Sequence, residues 1–159
     1  MKVIIVGCGR VGSRLALALD QAGNEVTIID ERVAAFDRLG NDFHGNMVVG
    51  TGIDLGVLRR AGIEHADAFA SVTNGDNRNL MAAQIAQKIF GVKQVIAKVN
   101  DPVRAQTYRE MGINTFSRTT ILGTLLHAML QEDREVGEVL MRKALAHEAE
   151  LVHEPAKAR

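Results

Sequence analysis

Six short apolar runs, at intervals of about twenty residues, constrain this chain more than any other feature. They occupy residues 3–6, 26–29, 47–49, 68–72, 95–99 and 113–116. Most are near-continuous rather than alternating, the pattern of strands covered on both faces. Between them the periodicity turns helical. Val11, Leu15, Ala18 and Leu19 fall at i, i+4, i+7 and i+8, and Leu80, Ala83, Ile85, Ala86 and Ile89 predict a longer, more buried helix. Asp101 before Pro102 reads as the N-cap and first turn of a helix running through Met111. Asn79 reads as a cap of the fourth helix. Gly23, Gly62, Gly91 and Gly112 each follow a helical stretch, where a left-handed cap is needed.

Strict strand–helix alternation implies a parallel sheet with right-handed crossovers and helices on both faces. The expected fold is therefore α/β, a doubly wound, six-stranded sheet of the Rossmann type. A helix over residues 119–131 should follow the sixth strand, with Ile121, Leu122, Leu125, Leu126, Met129 and Leu130 as its apolar positions. That stripe either packs on its own sheet or leaves the domain for a partner subunit. A domain over residues 1–134 and a tail over 135–159 are expected. Residues 132–143 are charge-rich, 148–153 form a weak strand pattern, and 155–159 have the composition of a disordered end.

The chain of 159 residues is long enough for one buried core. Its 19 basic and 19 acidic residues cancel and no basic block stands out, which argues against a nucleic-acid partner. Five Phe, one Tyr and no Trp leave little to stack on bases. No apolar run approaches the ~18 residues of a membrane span, and the N-terminal residues enter a strand pattern directly, so neither membrane insertion nor a signal peptide is expected. The lone Cys8 suits a reducing compartment. A cytoplasmic protein, peripheral to the inner face of the cell membrane if it serves one, is the expectation. The five histidines are scattered without metal-ligand spacing.

Gly7-Cys8-Gly9-Arg10-Val11-Gly12 lies directly after the first strand and opens a helix, the context in which a G-x-G-x-x-G match carries meaning. The first glycine turns tightly, the second admits a pyrophosphate to the backbone, and the third lets helix and strand pack closely. The helix N-terminus adds unpaired N–H groups and a positive dipole end. Asp30, followed by Glu31, ends the second strand 18 positions after Gly12. A carboxylate there accepts ribose hydroxyls and repels a 2′-phosphate, favouring NAD or ATP over NADP, although Arg32 leaves an opening for the latter. Arg10 is either a solvated first-turn residue or a partner for a terminal phosphate. Cys8 is either a redox-sensitive thiol or a small residue filling the loop.

Ligands of such sheets lie across the carboxyl ends of the strands. The remaining candidates are therefore Gly50-Thr51-Gly52, Thr73-Asn74-Gly75-Asp76 and Lys98, the last being either a phosphate partner or a surface residue at a frayed strand end.

These residues resemble the N-terminal nucleotide-binding domain of TrkA- and KtrA-type regulators of bacterial potassium uptake, the RCK or KTN domain type. The resemblance covers roughly residues 1–131. It rests on VIIVGCGRVGSRLA, on TIIDE, on GTGIDLGVLRRAGIEHADAFASVTNGDNRNLMAAQIA and on VIAKVNDPVRAQTYREMGI. It implies that Gly7 to Gly12 hold phosphates, that Asp30 holds the ribose, and that Thr73 and Asn74 line the site. It also implies that Arg10 reads a terminal phosphate and that the helix after strand six crosses to a partner subunit. Lys98 stands where many members have arginine, and Thr51 where the pattern usually has aspartate. Members usually continue into a C-terminal regulatory domain, of which residues 135–159 would be a remnant or a start.

Two functions follow from different classes. One is a non-catalytic regulatory subunit that binds NAD(H) or ATP/ADP, assembles as a dimer or ring through the helix over 119–131, and gates a membrane potassium transporter or channel subunit. The other is a small NAD-dependent oxidoreductase, which needs a proton donor beside the nicotinamide. Tyr108 is the one tyrosine, and the position where a Tyr-x-x-x-Lys dyad would place lysine is Gly112, so no enzyme is expected.

Overall fold

The computed structural model describes residues 1–130. Six parallel strands form one sheet in the order β3-β2-β1-β4-β5-β6. They are β1 (Lys2–Val6), β2 (Glu25–Asp30), β3 (Asn46–Val49), β4 (Ala68–Ser71), β5 (Gln94–Lys98) and β6 (Asn114–Phe116). The helices are α1 (Arg10–Gln21), α2 (Leu55–Arg60), α3 (Asp76–Gln84), α4 (Pro102–Glu110) and α5 (Arg118–Leu130). A 3-10 turn over Val33–Leu39 joins β2 to β3. The doubly wound sheet is the one expected.

The near-continuous apolar runs have a direct cause in the two cores. On one face, Ile4 and Val6 of β1 pack with Val57, Leu58, Phe69, Leu80 and Ala83. On the other, Val3 and Ile5 pack with Ala16, Ile28, Phe36 and Leu39. Successive side chains of one strand serve opposite layers, so every position must be apolar. Each such side chain contributes about 1.5–3 kcal/mol when fully buried, which is why these runs dominate the sequence pattern.

Two helical faces differ from expectation. In α1 the buried residues are Gly12, Ser13 and Ala16, Val11 is 43% exposed, and Leu15 and Leu19 are only partly covered. Small side chains face the sheet because α1 approaches it closely. In α3, Leu80, Ala83, Ile85 and Ala86 are buried as expected, but Ile89 is 59% exposed. A π turn over Ile85–Ile89 ends the helix, and its i→i+5 bonding carries Ile89 off the face that four-residue spacing assigns. The Asp101 cap is present: its side chain accepts from Val103 N and Arg104 N, with Pro102 in the first turn.

Contacts divide the chain into two units, residues 1–118 and 119–159. The described part of the second is a helix that buries none of its residues, with Ile121, Leu122, Leu126, Met129 and Leu130 exposed. The expected boundary near 134 and the weak strand over 148–153 lie outside the described residues. No helix among the described residues is long and apolar enough to cross a membrane.

Candidate nucleotide site

β1 ends at Val6 and the chain turns at Gly7, whose φ of 104° belongs to glycine. Gly7 N donates to the Ile29 carbonyl at 2.7 Å, which pins the turn to the end of β2. Two further glycines of the loop serve different needs. A Cβ on Gly12 would collide with the Gly7 carbonyl oxygen and come within 3.1 Å of Val72 Cγ2, so close helix–strand packing requires its absence. A Cβ on Gly9 would meet nothing within 4 Å. The room left at Gly9 is therefore not used by the protein itself. Gly9 is the N-cap of α1, with no side-chain cap and no acidic residue in the first turn. The positive end of the helix and its unpaired N–H groups thus remain available to an anion.

Asp30 is tied to this loop. Its Oδ2 accepts from Cys8 N at 2.8 Å and its Oδ1 from Arg32 N at 3.0 Å, with Arg32 Nε 3.8 Å away. A carboxylate has about four acceptor positions, so both oxygens keep capacity for hydroxyl donors. After β3, Gly50 N donates to the Asp30 carbonyl at 3.0 Å. Gly52 lies against β1 so closely that a Cβ would come 2.5 Å from Val6 Cγ1.

Asn79 organises the β4–α3 side. It lies inside α3, fully buried, rather than at the cap, which is Gly75. Its Oδ1 accepts from Thr73 N at 2.9 Å and Thr73 Oγ1 at 2.7 Å. Its Nδ2 donates to the Thr73 carbonyl at 3.1 Å and the Lys98 carbonyl at 2.9 Å. One amide thereby fixes the loop after β4 and joins it to β5.

These segments enclose a cleft of about 250 Å³ at the carboxyl ends of β2, β1 and β4. The strand order reverses between β1 and β4, and it is at such switch points that open α/β sheets take ligands. Of the residues expected from sequence, Gly7, Gly9, Asp30, Glu31, Thr51, Gly52, Thr73 and Asn74 line the cleft. The expected Gly50 and Gly75 line it too, and Arg32 and Arg78 join them.

Cys8, Arg10, Val11, Gly12, Asp76 and Lys98 are not among the lining residues; Asp76 Oδ2 accepts instead from Asn100 N at 2.9 Å and Asp101 N at 3.1 Å. Cys8 is wholly buried behind the loop, its Sγ donating to the Ala35 carbonyl at 3.2 Å. Burial, and then the Asp30 carboxylate, push its thiol up to about 11. It is a small loop-filling residue and carries no reactive thiolate at neutral pH. Arg10 and Val11 are exposed at the start of α1. Lys98 is 5% exposed rather than a frayed surface residue. Burial, and then the Arg118 guanidinium, lower its ammonium from the ordinary value, while Asp76 pulls the other way.

Sequence reasoning missed Arg78 and misplaced Asn79. A polar residue in a first helical turn carries no signal of which loop it will meet.

A doubly wound sheet whose glycine turn, acidic strand end and switch-point cleft coincide is a Rossmann-type domain. More narrowly, the chain belongs to the TrkA-N domain family, whose model matches residues 3–118. The Trk system potassium uptake protein TrkA of Streptomyces coelicolor is 51% identical over 115 residues, which cover 72% of this chain and 52% of that protein. A TrkA homolog from Methanothermobacter thermautotrophicus is 30% identical over 114 residues, with the same coverage of 72% and 52%. The chain spans about half the length of these relatives. Among solved structures, the Shewanella denitrificans Kef CTD in its AMP-bound form superposes with a TM-score of 0.71 at 19% identity, covering 95% of this chain and 98% of that one. GsuK bound to ADP gives 0.69 at 21% identity, covering 83% and 34%. The GsuK channel bound to NAD gives 0.65 at 20%, covering 77% and 22%. At such identities the likeness is one of fold.

Proposed function

We propose that this chain is the nucleotide-binding domain of a non-catalytic regulatory subunit for potassium uptake, taking NAD(H) or ATP/ADP in the switch-point cleft. The observation that carries this reading is the convergence of the Gly7–Gly9 turn, the Asp30 carboxylate and the uncapped N-terminus of α1 on one cleft. In this reading the backbone from Gly7 to Gly12 faces the phosphates and Asp30 takes the ribose hydroxyls, with Glu31 beside it at the edge of the cleft. Thr51 and Gly52 border the base, and Thr73 and Asn74 close the opposite wall. Arg10 and Lys98 contribute charge from outside the cleft lining. Relatives named as potassium uptake proteins, and fold neighbours solved with AMP, ADP and NAD, support the same assignment.

A nucleotide can gate a partner only by binding one arrangement of the assembly better than another. The exposed apolar side chains of α5 supply a surface for self-association to a dimer or ring. The partner is a membrane potassium transporter or channel subunit, approached from the cytoplasmic face without insertion; no nucleic acid is involved. Titration calorimetry with NAD⁺, NADH, ADP and ATP, with oligomeric mass measured alongside, tests the reading. Saturable binding without turnover, together with a mass that depends on the ligand, is expected. Loss of binding on Asp30→Asn is expected too, and undiminished binding by that variant would refute the placement of the ribose.

A further inference from the structure

The cleft is bridged at its mouth. Glu31 follows β2, Arg78 lies in the first turn of α3 after β4, and Arg78 Nη1 stands 3.1 Å from Glu31 Oε2. β2 and β4 flank β1 in the sheet, so the pair joins segments two strand spacings apart, about 10 Å. Both side chains line the cleft. A nucleotide laid across the carboxyl ends of these strands must meet them.

Charge then distinguishes Arg78 from every other candidate. The cations lining the cleft are Arg32 and Arg78, and Arg32 stands 3.8 Å from Asp30, beside the expected ribose site. Arg10 and Lys98, the cations that sequence motifs single out, lie outside the lining. A nucleotide brings several negative charges into a cleft that already holds Asp30 and Glu31; the N-terminus of α1 offsets part of that charge, and a cation within the cleft offsets more where a terminal phosphate is present. The Arg78–Glu31 pair is about half exposed on both sides, 50% and 55%. Such pairs separate at little cost. A terminal phosphate offers the guanidinium fork more charge and more acceptor oxygens than a carboxylate does.

We propose that Arg78 is the phosphate-reading residue of the cleft, and that its guanidinium exchanges Glu31 for the terminal phosphate of an adenine nucleotide. The proposal rests on the nucleotide reading above and adds its selectivity. Glu31 holds the guanidinium at the mouth, competes with the phosphate, and so sets how much terminal charge a ligand needs. ADP and ATP, with a terminal phosphate, engage the switch; NAD⁺, whose phosphates are both internal, engages it far less.

The test is calorimetric titration of the full chain with ADP and with NAD⁺ at low and physiological salt. The variants are Arg78→Gln, Glu31→Gln and the double variant, with thermal melting to verify folding. Arg78→Gln should weaken ADP about tenfold and NAD⁺ less than about threefold. Glu31→Gln should tighten ADP by roughly two- to fivefold, the scale of an exposed ion pair, and that gain should vanish in the Arg78→Gln background. ADP binding indifferent to Arg78→Gln, or weakened equally by both single substitutions, overturns the role of Arg78 while leaving the nucleotide site standing. A wild-type chain that binds none of the nucleotides overturns the site and this role together.

Discussion

Replacing Asn79 by alanine tests how the cleft is held in shape. The side chain is fully buried and uses all its hydrogen-bonding capacity, two acceptor and two donor positions, on Thr73 and Lys98. Alanine strands three backbone groups: the Thr73 N–H, the Thr73 carbonyl and the Lys98 carbonyl. The Thr73 hydroxyl can rotate to another partner. At ~1–3 kcal/mol for each buried group left unpaired, and allowing for partial relaxation, the loss should be about 3–5 kcal/mol. That is a large share of the ~5–15 kcal/mol typical of a whole domain. Asparagine to aspartate should cost at least as much at pH 7, because a carboxylate would face two carbonyl oxygens. Burial would raise the pKa of that new carboxyl in the folded state, so part of the loss should return as the pH falls and the group becomes a donor. Urea unfolding followed by circular dichroism measures both. Asn77→Ala, at an exposed neighbour on the same helix whose Oδ1 accepts from the exposed Arg104 guanidinium, serves as the control and should cost less than about 1 kcal/mol. A cost below about 1 kcal/mol for Asn79→Ala would show that water or the loop replaces the amide, and would refute the reasoning.

Three further outcomes are expected. Gly12→Ala should destabilise the fold by more than about 2 kcal/mol, because its Cβ strikes the Gly7 carbonyl. Gly9→Ala should leave the denaturation midpoint nearly unchanged yet weaken nucleotide binding roughly tenfold or more, since its Cβ fills only the space a pyrophosphate would use. The Cys8 thiol, raised from 9.0 to about 11, holds its proton more tightly in the folded chain than in the unfolded one. Its contribution to stability is therefore complete below about pH 9 and declines towards pH 11, a slope that Cys8→Ala should remove in pH-dependent urea titrations.

The sheet was legible in sequence because parallel strands buried on both faces leave uninterrupted apolar runs, and the glycine loop because its turn sits between one such run and a helix. Helix faces were less legible. α1 presents Ser13 and Ala16 to the sheet, a choice set by how closely it approaches rather than by hydrophobicity. The far side of the cleft was least legible of all. Arg78 meets Glu31 across 47 positions of chain, and Asn79 reaches Lys98 across 19. Such pairings depend on where two loops converge, which no local pattern encodes. Whether Lys98 was a phosphate partner or a strand-end surface residue stayed open for the same reason, because its burial comes from neighbours on other segments.

The bond from Cys8 N to Asp30 Oδ2 has a consequence for how this domain changes over evolutionary time. A lineage that abandoned its nucleotide would still keep the acid, since the turn after β1 leans on it, and an aspartate there would outlive the function it is usually taken to mark. Gly9 is under no such restraint: nothing inside the protein requires its missing side chain. Position 9, rather than position 30, should be the first to drift in a descendant that no longer binds, and glycine retained there is the better sign of a working site.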